Sequence, residues 1–571
     1  MFRRVVLLLT VIIIALNVPA YGAFVPSDPV ISVDELKPGM KGYMLTVIKG
    51  MEPSRIPVRI VSIVPQKPAK QYSSLVLIKL TGHTKLAQGM SGSPVYIGGK
   101  LAGAVRSGWQ GADHTLAVMI PIEYMCAITE HDSLPPSPSL AALNAVTVSG
   151  TSINTPAMSQ LSRKLGITFT QGISSPSGGS LADGTSLRPG DSVAALLVWG
   201  DVELSAFGTV TAVDRHGRFL AFGHDFMKRG KSSYPSAGAY VHETVDSVSF
   251  PFKLAHTLGI NGTVTHDTET GIAGKFGMYP PSIPCEFVFH DLDAGTKDIY
   301  HFRTVTDEFM TADLIEGVCK GLAEESWARK GQGTMSVNLR IDGRNVPNGW
   351  ARKDIFYSDE NITDEAFKQL KTIITAYMTQ PFKDIMPVGF TVTVSAAQSP
   401  KVLLIEDVTV SEDAEPGAEI EVSVKLRTWR ADPVTRKFKL TIPADASDVV
   451  EVIVRGGGTQ SFTQAGIEGG WRTITSLERM LSEFRAADSN NQLIIELNAD
   501  RTGDLISKIQ NARKKGAHKT PKKDRDPDLL PEEEEYLSET KERRIREGTL
   551  KIYSSDYYVD GLMRRVIHVD K

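Results

Sequence analysis

Apolar positions in this chain recur mostly with a period of two. Val58-Arg-Ile-Val-Ser-Ile-Val64 and Leu75-Val-Leu-Ile-Lys-Leu80 are strand-like runs bounded by proline and glycine, and Leu116-Ala-Val-Met-Ile-Pro-Ile122 is a third. Between the last two, Val95-Tyr-Ile97 meets Gly98-Gly99, a two-residue hairpin turn, and Lys100-Leu-Ala-Gly-Ala-Val105 returns. Residues 28–130 therefore carry the strands of one small barrel. A proline-rich link, Leu134–Leu140, separates them from a second β-rich segment, residues 145–320. There Ser192–Trp199 predicts a strand, and Thr209–Val213 and Phe219–Phe222 predict a hairpin through Asp214-Arg-His-Gly217. Gly271–Gly277 lacks the Lys-Ser/Thr of a phosphate loop and reads as an ordinary loop.

The helical period takes over around Ala312–Ala328 and Asp364–Met378, which predicts a helical connector over 321–380. Period two then returns. Ile420, Val422, Val424 and Leu426 alternate with charged or polar neighbours, as do Phe438, Leu440 and Ile442, so residues 381–500 predict an immunoglobulin-like β-sandwich. Thr475 and Glu478 have capping-box spacing ahead of a helix whose Leu477, Met480, Leu481 and Phe484 share one face; Gln492–Leu497 reads as a strand after it. Residues 501–571, with basic Arg513–Arg525 and acidic Glu532–Glu535, read as a charged C-terminal tail.

Composition sharpens this mainly β reading: 571 residues hold 49 glycines and 31 prolines, enough chain for several domains. With 63 basic against 66 acidic residues the formal charge is -3, so no basic surface for nucleic acid is expected. Residues 1–22 have the form of an export signal: Arg3-Arg4, an apolar Val5–Val18, then small residues Ala20 and Gly22. No later run is apolar and long enough to span a bilayer, which predicts an exported protein of the periplasm or cell envelope with no stable membrane span. Cys126, Cys285 and Cys319 form neither a disulfide framework nor a zinc spacing. No metal and no organic cofactor are implied.

The candidate chemistry lies in Gly89-Met-Ser-Gly-Ser-Pro94. A serine between small residues on a tight bend can present its hydroxyl as a nucleophile, given a base to take the proton and N–H donors for the oxyanion. Ser91 is the candidate attacker, and the backbone N–H groups of Gly89 and Ser91 the candidate donors. The Gly-x-Ser-x-Gly elbow of α/β hydrolases does not fit, because position 93 is serine and strands follow. Among the histidines, His83 is near Ser91 in sequence and His114 follows the hairpin, whereas His224 ends a strand after Gly223, where an imidazole can project from a barrel rim.

Residues 89–105 resemble the nucleophile segment of the SpoIVB peptidase family, chymotrypsin-like serine peptidases, and Gly208–His224 resembles the same family's histidine segment. The two matches cover much of residues 35–310. The resemblance implies a chymotrypsin-like double β-barrel with Ser91 as nucleophile and His224 as base. It also implies a peptide-pairing edge at Arg106, Ser107 and Gly108, while Thr115–Ile122 resembles the closing strand of HtrA-type proteases. The order is permuted, since the family's histidine segment precedes its serine segment. The family's aspartate also has no counterpart: Leu80-Thr-Gly-His83 offers no carboxylate, which leaves Asp225, Asp201 and Asp113 as unranked candidates and the acid unknown. No PDZ-like module is visible. The expected function is an exported serine endopeptidase acting on envelope or secreted proteins. The alternative is a catalytically weak or inactive protease-like scaffold that binds extended peptides or partner proteins.

Overall fold

Strand β2 (Pro53–Pro65) turns Ile56, Val58 and Ile60 inward and Arg55, Pro57 and Arg59 outward, as strand geometry requires. It belongs to a closed six-stranded barrel with β1 (Lys41–Val47), β3 (Ser74–Leu80), β4 (Pro94–Ile97), β5 (Lys100–Ser107) and β6 (Leu116–Pro121), in the order β1-β2-β3-β6-β5-β4. The expected Gly98-Gly99 hairpin joins β4 to β5, and β4 returns to β1 with Tyr96 opposite Tyr43. The barrel core is built from Met44, Ile60, Val76, Ile78, Val95, Val105, Met119 and their apolar neighbours. This is a computed structural model, and it describes residues 23–65, 74–129, 145–175, 186–247, 249–384, 387–459, 474–498 and 537–569. The export signal, the Leu134–Leu140 link and the Arg513–Arg525 and Glu532–Glu535 runs lie outside the described residues.

Beyond β7 (Ala145–Ser149) and β8 (Thr168–Gln171), a second set of strands forms: β9 (Ser192–Gly200), β10 (Glu203–Val213), β11 (Arg218–Ala221), β12 (Gly230–Val245), β13 (Phe252–Thr268) and β14 (Gly271–Phe276). Antiparallel pairing runs β9-β12-β13-β14-β11-β10, and β10 pairs back to β9, which closes a second ring. Gly271–Phe276, expected as a loop, is thus a strand, held by β11 on one side and β13 on the other. The two rings belong to one compact unit ending at Ser282, and apolar clusters join them: Leu101, Ala104, Ile120 and Met125 pack with Ala212, Leu220 and Ala273, and Val47 packs with Ala194, Phe207 and Val241.

A second unit comprises residues 154–161 and everything from Ile283 onward, so the segment expected to reach 320 leaves the barrels earlier. Its first layer is a sheet of β15 (Ser282–Asp291), β16 (Thr296–Val305), β17 (Gly333–Gly343), β18 (Val346–Ser358) and β19 (Pro387–Ala397), ordered β18-β17-β19-β15-β16. Helices Thr311–Trp327 and Ile362–Thr379 pack on it and on each other. The 321–380 connector is therefore only partly helical: the long β17–β18 hairpin interrupts it.

The sandwich follows, with β20 (Val402–Thr409), β21 (Asp413–Ala414), β22 (Glu419–Thr428), β23 (Val434–Thr441), β24 (Val449–Gly456), β25 (Gln492–Asn498), β26 (Leu550–Ser554), β27 (Tyr558–Asp560) and β28 (Leu562–Val569). One sheet runs β23-β22-β20-β27 and the other β21-β28-β24-β25-β26, around a core of Ile420, Val422, Val424, Val452, Ile495, Ile567 and neighbours. Residues 550–569, expected in the tail, instead supply three strands of this sandwich. The helix Leu477–Ala486 is capped by Ser476, whose hydroxyl accepts from the Arg479 N–H, rather than by Thr475. Among the described residues no helix is long and apolar enough to cross a membrane.

Candidate active site

The Ser91 turn is pinned from both rings. Met90 anchors it in the first barrel's core, and the Ser93 N–H donates to the Met90 carbonyl at 3.1 Å, with Ser91 and Gly92 at the turn's centre. Gly92 has φ +84, the left-handed value a type II turn needs at this position, and a Cβ there would lie 2.2 Å from the Thr209 carbonyl oxygen and 2.4 Å from the Phe222 nitrogen. From β5, the Val105 carbonyl accepts the Gly92 N–H at 2.7 Å. From β10, the Thr209 N–H donates to the Ser91 carbonyl at 2.8 Å, and the Thr211 hydroxyl donates to the Gly92 carbonyl at 2.7 Å. Among the described residues the Gly89 and Ser91 N–H groups donate to no acceptor.

His224 follows a bend that runs beside β5. Phe222 and Gly223, just past β11, both have φ +68, and the non-glycine residue there is held against its own preference. The bend brings residue 223 beside Val105: a Cβ on Gly223 would lie 2.8 Å from that carbonyl oxygen. Asp267 on β13 fixes the segment that follows, accepting the Phe226 N–H at 2.7 Å and the Met227 N–H at 2.6 Å. Burial outweighs those bonds and pushes its carboxyl up to about 6.

His224 Nδ1 lies 2.6 Å from the Asp225 carbonyl oxygen. A carbonyl only accepts, so Nδ1 carries the hydrogen and the neutral ring's Nε2 keeps its lone pair, the tautomer a general base needs. Burial pulls the imidazole down to about 4, so it is neutral at ordinary pH.

Ser91 Oγ, Ser107 Oγ and His224 Nε2 are all buried and have no hydrogen-bond partner among the described residues. The main chain beside Ser91 and the main chain beside His224 both meet the Val105 carbonyl, at Gly92 and Gly223, but Ser91 and His224 do not hydrogen-bond to each other in this state. Arg106, Ser107 and Gly108, the expected peptide edge, are buried. Arg106 Nη1 donates to the Glu269 carbonyl at 2.6 Å, and Ser107 pairs with Val118 of β6, so the edge is not open here. The other histidine candidates are elsewhere occupied: His83 is exposed, and His114 stands edge-on to Phe250. Of the acid candidates, Asp113 accepts from Thr115, Asp201 is exposed, and Asp225 meets His224 Nδ1 through its main-chain carbonyl while its carboxylate charge also acts on the ring.

Two residues without a motif also belong to the site. Thr209 and Lys253 are buried beneath the turn, and each is within hydrogen-bond reach of the other. A cavity of about 910 Å³ lies in the second unit, lined by hydroxyl and amide side chains such as Ser336, Asn338, Thr393 and Asn491, with no imidazole. Against known proteins, the chain matches no family model, no curated protein and no solved structure.

Proposed function

We propose that the chain is an exported serine endopeptidase acting on envelope or secreted proteins, with a SpoIVB-like site on a chymotrypsin-like pair of barrels in permuted order. What supports the reading is that Gly92, next to Ser91, and Gly223, next to His224, both lie against the Val105 carbonyl, while among the described residues Ser91 Oγ, His224 Nε2 and the Gly89 and Ser91 N–H groups have no hydrogen-bond partner. In this reading Ser91 Oγ attacks the peptide carbonyl carbon while its proton passes to His224 Nε2. The Gly89 and Ser91 N–H groups hold the resulting oxyanion. Collapse breaks the C–N bond, and the leaving amine takes the proton from His224. Water, deprotonated by the same imidazole, then releases the acyl group and restores Ser91. Substrate entry along Arg106–Gly108 requires Arg106 to leave the Glu269 carbonyl.

A fluorophosphonate probe tests this. Wild type is expected to label and Ser91→Ala not at all, with His224→Ala slower by at least ~10²-fold. Absence of labelling in folded wild type sinks the reading.

The buried Arg106–Gly108 stretch and the carbonyl, rather than carboxylate, behind His224 favour a second reading, an inactive protease-like scaffold gripping extended peptides. Folded protein that binds peptides but never labels selects it.

A further inference from the structure

We propose that Lys253 is the positioning residue of the Ser91 turn, gripping it through the Thr209 hydroxyl so that the turn is firmly held only while the amine keeps its proton. The catalytic consequence rests on Ser91 being the nucleophile; the grip itself does not.

Lys253 sits at the start of β13 with its stem against the turn. A Cβ on Gly89, which has φ +88, would lie 3.1 Å from the lysine Cδ and 3.3 Å from its Cβ and Cγ. The amine reaches three hydroxyls: Thr46 at 3.1 Å, Ser192 at 3.4 Å and Thr209 at 3.5 Å. The elements packed around it (β1, β9, β10 and the turn) present those groups and Gly89 toward it; on β12, Thr244 pairs with Lys253 and Glu243 is turned to Lys49, and among the described residues no carboxylate, imidazole or second cation acts on the amine. Asp191, beside Ser192, is turned to the Arg188 N–H, and His256, on β13 itself, is turned to His242. Burial without a counter-charge pulls the amine down to about 7.

Thr209 is the shared node. Its N–H donates to the Ser91 carbonyl at 2.8 Å, and its hydroxyl donates to the Gly89 carbonyl at 3.1 Å. A hydroxyl has one hydrogen, and an ammonium has only donors. While Lys253 is charged, the Thr209 oxygen accepts from it and the hydroxyl hydrogen is left for Gly89. Loss of the proton gives the amine a lone pair. The Thr209 hydrogen can then turn to nitrogen, and the Gly89 carbonyl loses its donor. That carbonyl lies between the two N–H groups assigned to the oxyanion, so the turn that presents Ser91 loosens. Acylation of Ser91 therefore falls as pH rises through about 7, while the neutral imidazole it also needs is present above about 4. A lysine acting as general base would give the opposite limb, rising through the same pH.

The test measures fluorophosphonate labelling of the full chain from about pH 5 to about pH 9, with hydrogen-exchange protection of the Thr209 N–H followed in parallel. Wild-type labelling is expected to drop towards ~10-fold per pH unit above neutrality, and Thr209 protection to drop with it. Lys253→Met and Thr209→Val are expected to label slowly with no such limb, and Thr209→Ser, which keeps the hydroxyl, to restore it. An alkaline limb unchanged in Lys253→Met overturns the proposal, as does a wild-type rate that rises through neutrality. If nothing labels at any pH, the peptidase reading fails and exchange decides alone. Protection that follows pH in wild type but not in Lys253→Met upholds the grip; protection indifferent to pH overturns it.

Discussion

Lys253 and Arg455 are both buried cations on β-strands, and they are housed in opposite ways. Arg455 Nε donates to Glu496 at 2.8 Å and its Nη2 pairs with Asp488 at 2.9 Å; those carboxylates also hold Arg544 and Lys541. Lys253 meets three hydroxyls and no carboxylate. The first arrangement ties β24 to β25 and to the end of the helix Leu477–Ala486. Its charges are balanced, so it is part of the frame. The second leaves a cation without an opposite charge, and such a group can change its protonation at little cost. The same contrast separates the two barrels. The first has a large aliphatic cluster, with Thr46 among its few buried polar groups, whereas the second buries Glu203, Thr209, Ser236, Asn261 and Asp267. One ring mounts the turn, and the other supplies most of the polar groups that act on it.

The largest expected effect tests the paired side. Arg455→Met leaves Glu496 and Asp488 buried without their shared partner and is expected to cost ~3–5 kcal/mol in urea denaturation. A loss below ~1 kcal/mol would mean that Arg544 and Lys541 suffice, and the contrast with Lys253 would collapse. Asp267 is an intermediate case, a buried carboxylate held by N–H groups instead of a cation. Asp267→Asn turns an amide NH₂ toward one of those donors and is expected to cost ~1–3 kcal/mol. Its pH signature has a definite sign. The folded carboxyl lies near 6 and the unfolded one near 3.8, so the folded protein binds the extra proton between them. Its contribution is full below the unfolded value and is lost as pH rises to about 6, and Asp267→Asn should erase that slope.

The last test sharpens the unpaired side through the slope it reads at each pH step. Lys253 is near 7 when folded and 10.5 in its ordinary state, so the unfolded chain binds more protons between those values. Stability against global unfolding should climb by about 1.4 kcal/mol per pH unit across that window, opposite in sign to the local loosening of the Ser91 turn within the folded state. Denaturation of Lys253→Met at the same pH values should show no such climb from this site, and a variant that keeps the full slope would refute the unpaired assignment.

Much of this was readable in the chain, for reasons that also explain the misses. Ile420, Val422, Val424 and Leu426 are buried on alternate positions of β22, because one face of that strand meets solvent and the other the core. The final strands were hidden by the reverse situation. In β28 only Ile567 and Val569 are buried, Arg565 takes a half-buried position on their face where an apolar residue would mark a strand, and charge-rich sequence precedes it. Ser91 and His224 were visible because a glycine-flanked serine and a strand-end Gly-His each have a local form. Lys253 has none. The apolar residues Phe252 and Leu254 suggest that the even positions point inward, yet Lys253, Ala255 and Thr257 are the buried ones. The partners that reverse the parity, Thr46, Ser192 and Thr209, come from three other strands.

The order in which the sandwich strands emerge has a consequence for synthesis. β24 pairs with β25 on one side and β28 on the other, so from Gly456 until Leu562 and beyond are translated one margin of that sheet has no native partner. For that whole interval the nascent chain exposes unsatisfied backbone and aliphatic surface to whatever is nearby, which makes this margin the point where a chaperone would be most useful and misassembly most damaging.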